Sequence, residues 1–270
     1  MAVSAEGKPV VLAAVAHPDD IEFNLAGTLL LLKEAGCDVH MWNLSNGSLG
    51  SMTHLPEEIA AIRAEEASAA AALGGATWHP PVFNDLEVFY DKPSLARVAS
   101  VVRSIGPEII LTHAPHDYME DHQNVCRLIV TAAFARSMPH FATTPPQDPY
   151  QKPVRIYHAP PHGLHDALGN LFQPDLLVDI ASVLPLKEHM LAAHRSQKDW
   201  LEASQGLGAY ISEMTDLGRR QAERVGGLTY AEGWRRHSHL GFCAPDFDPL
   251  SALLGSFVQQ LNHTTPQSHV

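Results

Sequence analysis

Apolar positions along this chain fall into short unbroken runs separated by segments of helical spacing. Val10 to Ala16 is a continuous apolar run of strand length. From Ile21 to Ala35 the spacing of Leu25, Leu29, Leu30 and Leu32 predicts a helix that stops at Gly36. Val39 to Leu44 predicts a second strand, landing on the turn-forming Ser45-Asn46-Gly47-Ser48. Pro56 to Leu73 is the clearest helix, with Pro in its first turn, Ala through its interior and Gly74-Gly75 beyond it. A short strand near Ala76 to Val82 follows, then a helix over Leu95 to Ile105, a strand over Glu108 to Thr112 and a helix over Asp121 to Arg136. Strands alternating with helices in this way imply right-handed βαβ units and an α/β protein with a mostly parallel sheet flanked by helices.

Beyond Met138 the pattern loosens. Pro139 to Pro153 holds five prolines and reads as a surface excursion. Val154 to His158 and Leu176 to Ile180 read as two further strands flanking a polar loop with His162 and His165. Helices are predicted over Pro185 to His194 and roughly Ala203 to Arg224, with a last short strand at Thr229 to Ala231. Signals weaken from about 245, and disorder is expected from His263 on. No linker separates two cores, so residues 1–270 read as one domain, with a core of about 8–240 and a C-terminal tail.

Composition narrows the function classes. A net charge of -12 argues against nucleic acid or an anionic membrane as partner. Cys37, Cys126 and Cys243 are far apart and contain no CxxC pair, which fits a reducing compartment and excludes a thiolate zinc finger. The first apolar run is too short to span a bilayer, and it leads into His17-Pro18-Asp19-Asp20 instead of a small-residue cleavage site. A cytoplasmic protein is expected, with a homo-oligomer left open.

The chemistry sits in two acidic motifs. Ala16-His17-Pro18-Asp19-Asp20-Ile21-Glu22 follows the first strand, and His116-Asp117-Tyr118-Met119-Glu120-Asp121-His122 follows the strand ending at Thr112. Imidazole and carboxylate together suit zinc or another first-row divalent ion. In a doubly wound sheet these two strands often lie side by side at the switch point, which would bring His17, Asp20 and His122 to one crevice. Three ligands with an open fourth position is the pattern of a catalytic zinc. Asp19, beside a ligand, could take a proton from the attacking water and return it to a leaving amine. Asp121 could orient an imidazole from behind. A plainer reading also exists: Asp19 or Asp20 could cap the helix from Ile21, and Glu120 and Asp121 could favour the start of theirs. That both motifs follow an apolar strand and both carry His favours the metal.

The first motif resembles the signature of the LmbE-like/PIG-L family of zinc-dependent N-acetylglucosaminyl deacetylases. The likeness continues through Asn46-Gly47, Arg63 with Glu66, Leu73-Gly74, Asp121-His122, Val178-Asp179-Ile180, Lys187, His194 with Ser196-Gln197, and Tyr230-Ala231-Glu232. The resemblance implies a Rossmann-like fold and hydrolysis of an N-acyl group, commonly acetyl on an amino sugar. It implies one zinc per chain on His17, Asp20 and His122, with Asp19 as general base. Arg63 matches a family arginine on the substrate side of the pocket, though a helix arginine paired with Glu66 is the plainer reading. Similar enzymes carry His three residues before the last ligand, assisting the oxyanion. Here that position is Met119, whose thioether donates no hydrogen bond.

The oxyanion donor must then be zinc alone or a group from elsewhere. Tyr118, His116, His162, His165 and His194 are candidates, and His194 has the best claim because it lies in the matched segment. Met119 is expected to wall the substrate pocket, with Tyr118 beside it. The reading is a zinc-dependent deacetylase or amidase acting on a small N-acyl compound. The alternatives are a zinc amidase on a non-sugar substrate and a homologue that binds metal without catalysis. A nucleotide-binding protein is disfavoured, because no glycine-rich turn follows the first strand.

Overall fold

The computed structural model describes residues 7–197 and 210–261. In chain order its strands are β1 (Val10–Val15), β2 (Asp38–Asn43), β3 (Thr77–His79), β4 (Ile109–Thr112), β5 (Arg155–His158), β6 (Leu176–Asp179), β7 (Ala231–Arg236) and β8 (Val258–Gln260). Its α-helices are α1 (Asp20–Asn24), α2 (Ala26–Glu34), α3 (Pro56–Leu73), α4 (Lys92–Ile105), α5 (Glu120–Phe134), α6 (Leu184–Ala192), α7 (Tyr210–Ala222) and α8 (Pro249–Leu254). The strands form one sheet in the order β3-β2-β1-β4-β5-β7-β6-β8. The first five are parallel, and β7, β6 and β8 continue the sheet antiparallel.

Alternation along β1 divides the core. Val11, Ala13 and Val15 face one helical layer with Ile21, Leu29 and Leu191, whereas Leu12, Ala14 and Ala16 face the other with Val98, Val125 and Ile129. Both faces of the strand are covered, which is why it reads as a continuous apolar run and not as an alternation. β1 and β4 are neighbours, as expected, with Val11 opposite Ile109 and Ala14 opposite Thr112. The chain leaves β1 towards β2 on one side and takes in β4 on the other, so the crevice at their carboxyl ends is the topological switch point.

Three expectations need correction. The helix predicted over Ile21 to Ala35 is two helices broken at Leu25, whose φ is -123°. The break frees backbone N–H groups at the start of α2, and Glu232 from β7 accepts them, Gly27 N at 2.9 Å and Thr28 N at 2.7 Å. A Cβ at Gly27 would lie 2.6 Å from Ile180 and 2.8 Å from Glu232, so this approach requires glycine. The strand expected at Thr229 to Ala231 is β7, which starts at Ala231 and runs to Arg236. The weak tail from about 245 forms α8 and the edge strand β8, paired with β6. Of the helix expected over Ala203 to Arg224, Tyr210–Ala222 is seen and the preceding residues lie outside the described ones, as does the disorder expected from His263.

Glu232 also holds Lys187 of α6, Nζ to Oε1 at 2.6 Å, with both side chains buried. Removing one member of such a pair leaves an uncompensated buried charge, at a cost of about 3–5 kcal/mol. Glu232→Ala is expected to lower the urea midpoint by that measure, since Lys187 and the α2 amides lose their partner together. An unchanged midpoint would show that the pair contributes nothing.

Candidate active site

β1 ends at Val15, and the next residues turn sharply into α1. Asp19 sits there with φ 108° and ψ -24°, a left-handed conformation that a side chain other than Gly or Asn adopts only under constraint. Its carboxylate makes no capping bond to α1, which removes the plainer reading for this residue. Asp19 Oδ2 instead accepts the Tyr210 hydroxyl at 2.6 Å, and Oδ1 lies 3.3 Å from Arg63 Nη2. Burial raises the Asp19 carboxyl above its ordinary range, against the pull of Arg63 and the Tyr210 hydrogen bond.

Asp20 Oδ2 is the hub of the crevice. It lies 3.5 Å from His17 Nδ1, 3.5 Å from His122 Nε2 and 3.4 Å from His113 Nε2, and it accepts the His17 backbone N–H at 2.7 Å. Burial alone would raise this carboxyl, but His122, His113 and His17 around it hold it well below the usual carboxylate range. The remaining ring nitrogens of both proposed ligands face carboxylates: His17 Nε2 is 3.2 Å from Asp121 Oδ2, and His122 Nδ1 is 3.1 Å from Asp117 Oδ1. Burial opposes charge on His17, yet its hydrogen bonds to Asp121 and Asp20 outweigh burial and lift its pKa to about 10.

This donor set fits a divalent metal. Ligand atoms of His17, Asp20 and His122 all lie within 4.8 Å of one another. Tetrahedral bonds of about 2.0–2.2 Å require donors roughly 3.3–3.5 Å apart, which the two 3.5 Å separations from Asp20 match. A carboxylate behind each imidazole is the usual support for a metal-bound histidine. His113, Asp117 and His122 form a second, overlapping group. There His113 Nε2 already accepts the Ala16 N–H at 2.9 Å, so its lone pair is engaged and its ring packs flat on His122, centroids 3.9 Å apart. His113 therefore supports a ligand.

Arg63, Tyr118 and Met119 line the same cavity as the cluster, together with Phe23, Leu49, Leu86, His162, Gln197 and Tyr210. Arg63 is not paired with Glu66. Glu66 accepts the backbone and hydroxyl of Ser196, while Arg63 Nη2 donates to the Pro18 carbonyl beside Asp19. Its passage is kept open by Gly47, where a Cβ would lie 2.5 Å from the arginine stem. Asp121 accepts from Leu86 N at 2.7 Å as well as facing His17, so it does more than favour the start of α5.

His194 is a correction. It is fully buried and does not line the cavity; its Nε2 lies 3.2 Å from Glu22 Oε2 behind α1. Burial opposes its protonation, but Glu22 raises its pKa. A side chain closed off in this way cannot donate to an oxyanion in the crevice. His116 and His165 are exposed, with His165 Nδ1 on the Gly163 carbonyl, and neither lines the cavity. Of the histidines expected as oxyanion donors, His162 alone lines it, paired with Glu213 at 3.0 Å.

Tyr210, His113 and Asp117 were missed in the sequence. Tyr210 carries a signal: with Met214 and Leu217 it forms the buried stripe of α7, where a phenol needs a polar partner. His113 directly follows β4, the kind of strand-end position that singled out His17.

The parallel sheet with a His/Asp cluster at its switch point defines an α/β protein with a candidate metal centre. Residues 12–133 match the PIG-L family model, described as GlcNAc-PI de-N-acetylase. The chain is 28% identical to diacetylchitobiose deacetylase of Thermococcus kodakarensis over 229 residues, 80% of this chain and 81% of that protein. It is also 28% identical to 4-oxalmesaconate hydratase of Pseudomonas putida over 239 residues, 82% and 86% of the two chains. The structure of N,N'-diacetylchitobiose deacetylase from Pyrococcus horikoshii superposes with a TM-score of 0.71 at 24% identity, covering 89% of this chain and 88% of that one, and shares its fold.

Proposed function

We propose that this chain is a zinc-dependent hydrolase, one zinc per chain, that removes the acetyl group from the amino nitrogen of an amino-sugar conjugate. The observation that carries the reading is Asp19, a carboxylate on the cavity wall beside a ligand cluster to which it does not contribute. The match of residues 12–133 to the PIG-L model and the deacetylase among the similar proteins support the same reaction. A divalent ion on His17, Asp20 and His122 supplies Lewis-acid polarisation of the amide carbonyl and a more acidic water.

The chain's own residues do the rest. Asp19 takes a proton from the attacking water and delivers it to the departing amine. Tyr210 and Arg63 hold the carboxylate from two sides, so its rotamer is set before substrate arrives. Asp117 and Asp121 orient His122 and His17. With Met119 at the usual histidine position and His194 buried elsewhere, the side chains lining the cavity that can donate to an oxyanion include Tyr118, Tyr210, Arg63 and His162.

The three cysteines are unpaired, which supports a reducing, cytoplasmic setting. Among the described residues no helix is long and apolar enough to cross a membrane. The single eight-stranded sheet supports reading the chain as one domain, with residues 258–260 included.

The test is release of a primary amine and acetate from N-acetylglucosamine conjugates by zinc-loaded protein, with 4-oxalmesaconate hydration measured in parallel. Stoichiometric amine and acetate are expected. Hydration without amine release would overturn the hydrolase reading in favour of the chemistry named for the Pseudomonas relative.

A further inference from the structure

The short segment after α6 ties together three elements that wall the crevice. His194 Nε2 lies 3.2 Å from Glu22 of α1, Ser196 donates to Glu66 of α3, and Gln197 Nε2 donates to the Gly50 carbonyl at 3.1 Å. The Ser196 contact is the most complete of these. Its backbone N–H reaches Glu66 Oε1 at 2.8 Å and its hydroxyl reaches Oε2 at 2.6 Å, so both carboxylate oxygens are engaged. Ser196 itself does not line the cavity.

Glu66 stands one turn beyond Arg63 on α3, at the spacing where opposite charges on a helix ordinarily pair. Here they do not pair. The Arg63 head group crosses to the Pro18 carbonyl and lies 3.3 Å from Asp19 Oδ1. Arg63 is only 3% exposed, and its Nε is buried without a hydrogen-bond partner. A carboxylate oxygen set free on the next turn would have this donor to accept from, at the expense of the contact to Asp19. Asp19 depends on such contacts, because its φ of 108° persists only while its surroundings impose it. Gln197 secures the same arginine across a loop. A Cβ at Gly50 would lie 2.6 Å from Arg63 Nη1 and 3.1 Å from Gln197 Nε2, so the Gly50 backbone is held between the two.

We propose that Ser196 is a positioning residue: by engaging both oxygens of Glu66 it keeps that carboxylate off Arg63, and so commits the guanidinium to Asp19. The inference rests on the N-acyl hydrolase reading, in which Asp19 is the base. It adds to that reading a side chain that touches neither the cluster nor the cavity.

Turnover of N-acetylglucosamine conjugates by zinc-loaded protein, measured on two variants, tests this. Ser196→Ala frees Glu66 Oε2 and should lower kcat by about tenfold to 100-fold, since a misplacement of about 1 Å can cost about 10²-fold. KM and zinc content should stay near their wild-type values. Ser196→Ala combined with Glu66→Gln should recover most of the lost kcat, because a neutral amide draws the guanidinium from Asp19 far less than a carboxylate does. A merely structural contact predicts the opposite order, since the double variant removes more of it. Urea midpoints of both variants, taken on the same preparations, show whether kcat follows stability instead. A double variant no faster than Ser196→Ala overturns the proposal, as does wild-type kcat in Ser196→Ala. No amine from the wild-type protein overturns the hydrolase reading, and the proposal with it.

Discussion

Asp19→Asn is expected to keep metal and fold and to lose turnover by about 10²- to 10⁴-fold, the usual contribution of a positioned general base. The substitution is nearly isosteric. Asparagine is also among the few residues that accept a φ of 108°, so the turn into α1 is not strained further. The amide oxygen can still accept the Tyr210 hydroxyl, but the group can no longer take a proton from water. Asp19→Ala is the poorer test, since it combines loss of the base with a left-handed alanine and an unpaired Arg63. The measurement is kcat with metal content determined on the same preparation. Turnover equal to wild type at full metal loading would remove Asp19 from the chemistry.

His122→Ala is expected to weaken metal binding by at least about 100-fold, because loss of an outer orienting partner alone costs about 10- to 100-fold. Only His17 and Asp20 would remain of the three converging donors. The vacated space is flanked by His113, whose Nε2 is engaged by Ala16 and does not substitute. Metal per chain after dialysis should fall from about one towards zero, and activity with it, while far-ultraviolet circular dichroism stays unchanged. A His122→Ala protein that retains stoichiometric metal would refute the ligand assignment and point to the neighbouring group around His113 and Asp117.

The sequence by itself determined the parallel part of the sheet and where its chemistry would gather. β1 and β4 are buried on both faces, and such strands leave an unmistakable apolar run; a His and an Asp just beyond each run then lie at the sheet's carboxyl edge. Every residue of the His17, Asp20 and His122 cluster was legible on that basis, as was Asp19. The tertiary structure decided what those residues touch. Tyr210 meets Asp19 across 191 positions of sequence, Glu232 reaches the start of α2 across 205, and Asp121 meets His17 across 104. Local pattern records which face of an element is buried, because burial repeats with the backbone's own period. It carries no record of which polar tip a distant fold contact will satisfy. For that reason the break at Leu25 was hidden, since its freed amides are accepted by a strand near the far end of the chain. His194 was misjudged for the same reason. Its segment matches the family pattern, but only packing behind α1 turns its ring to Glu22 and away from the crevice.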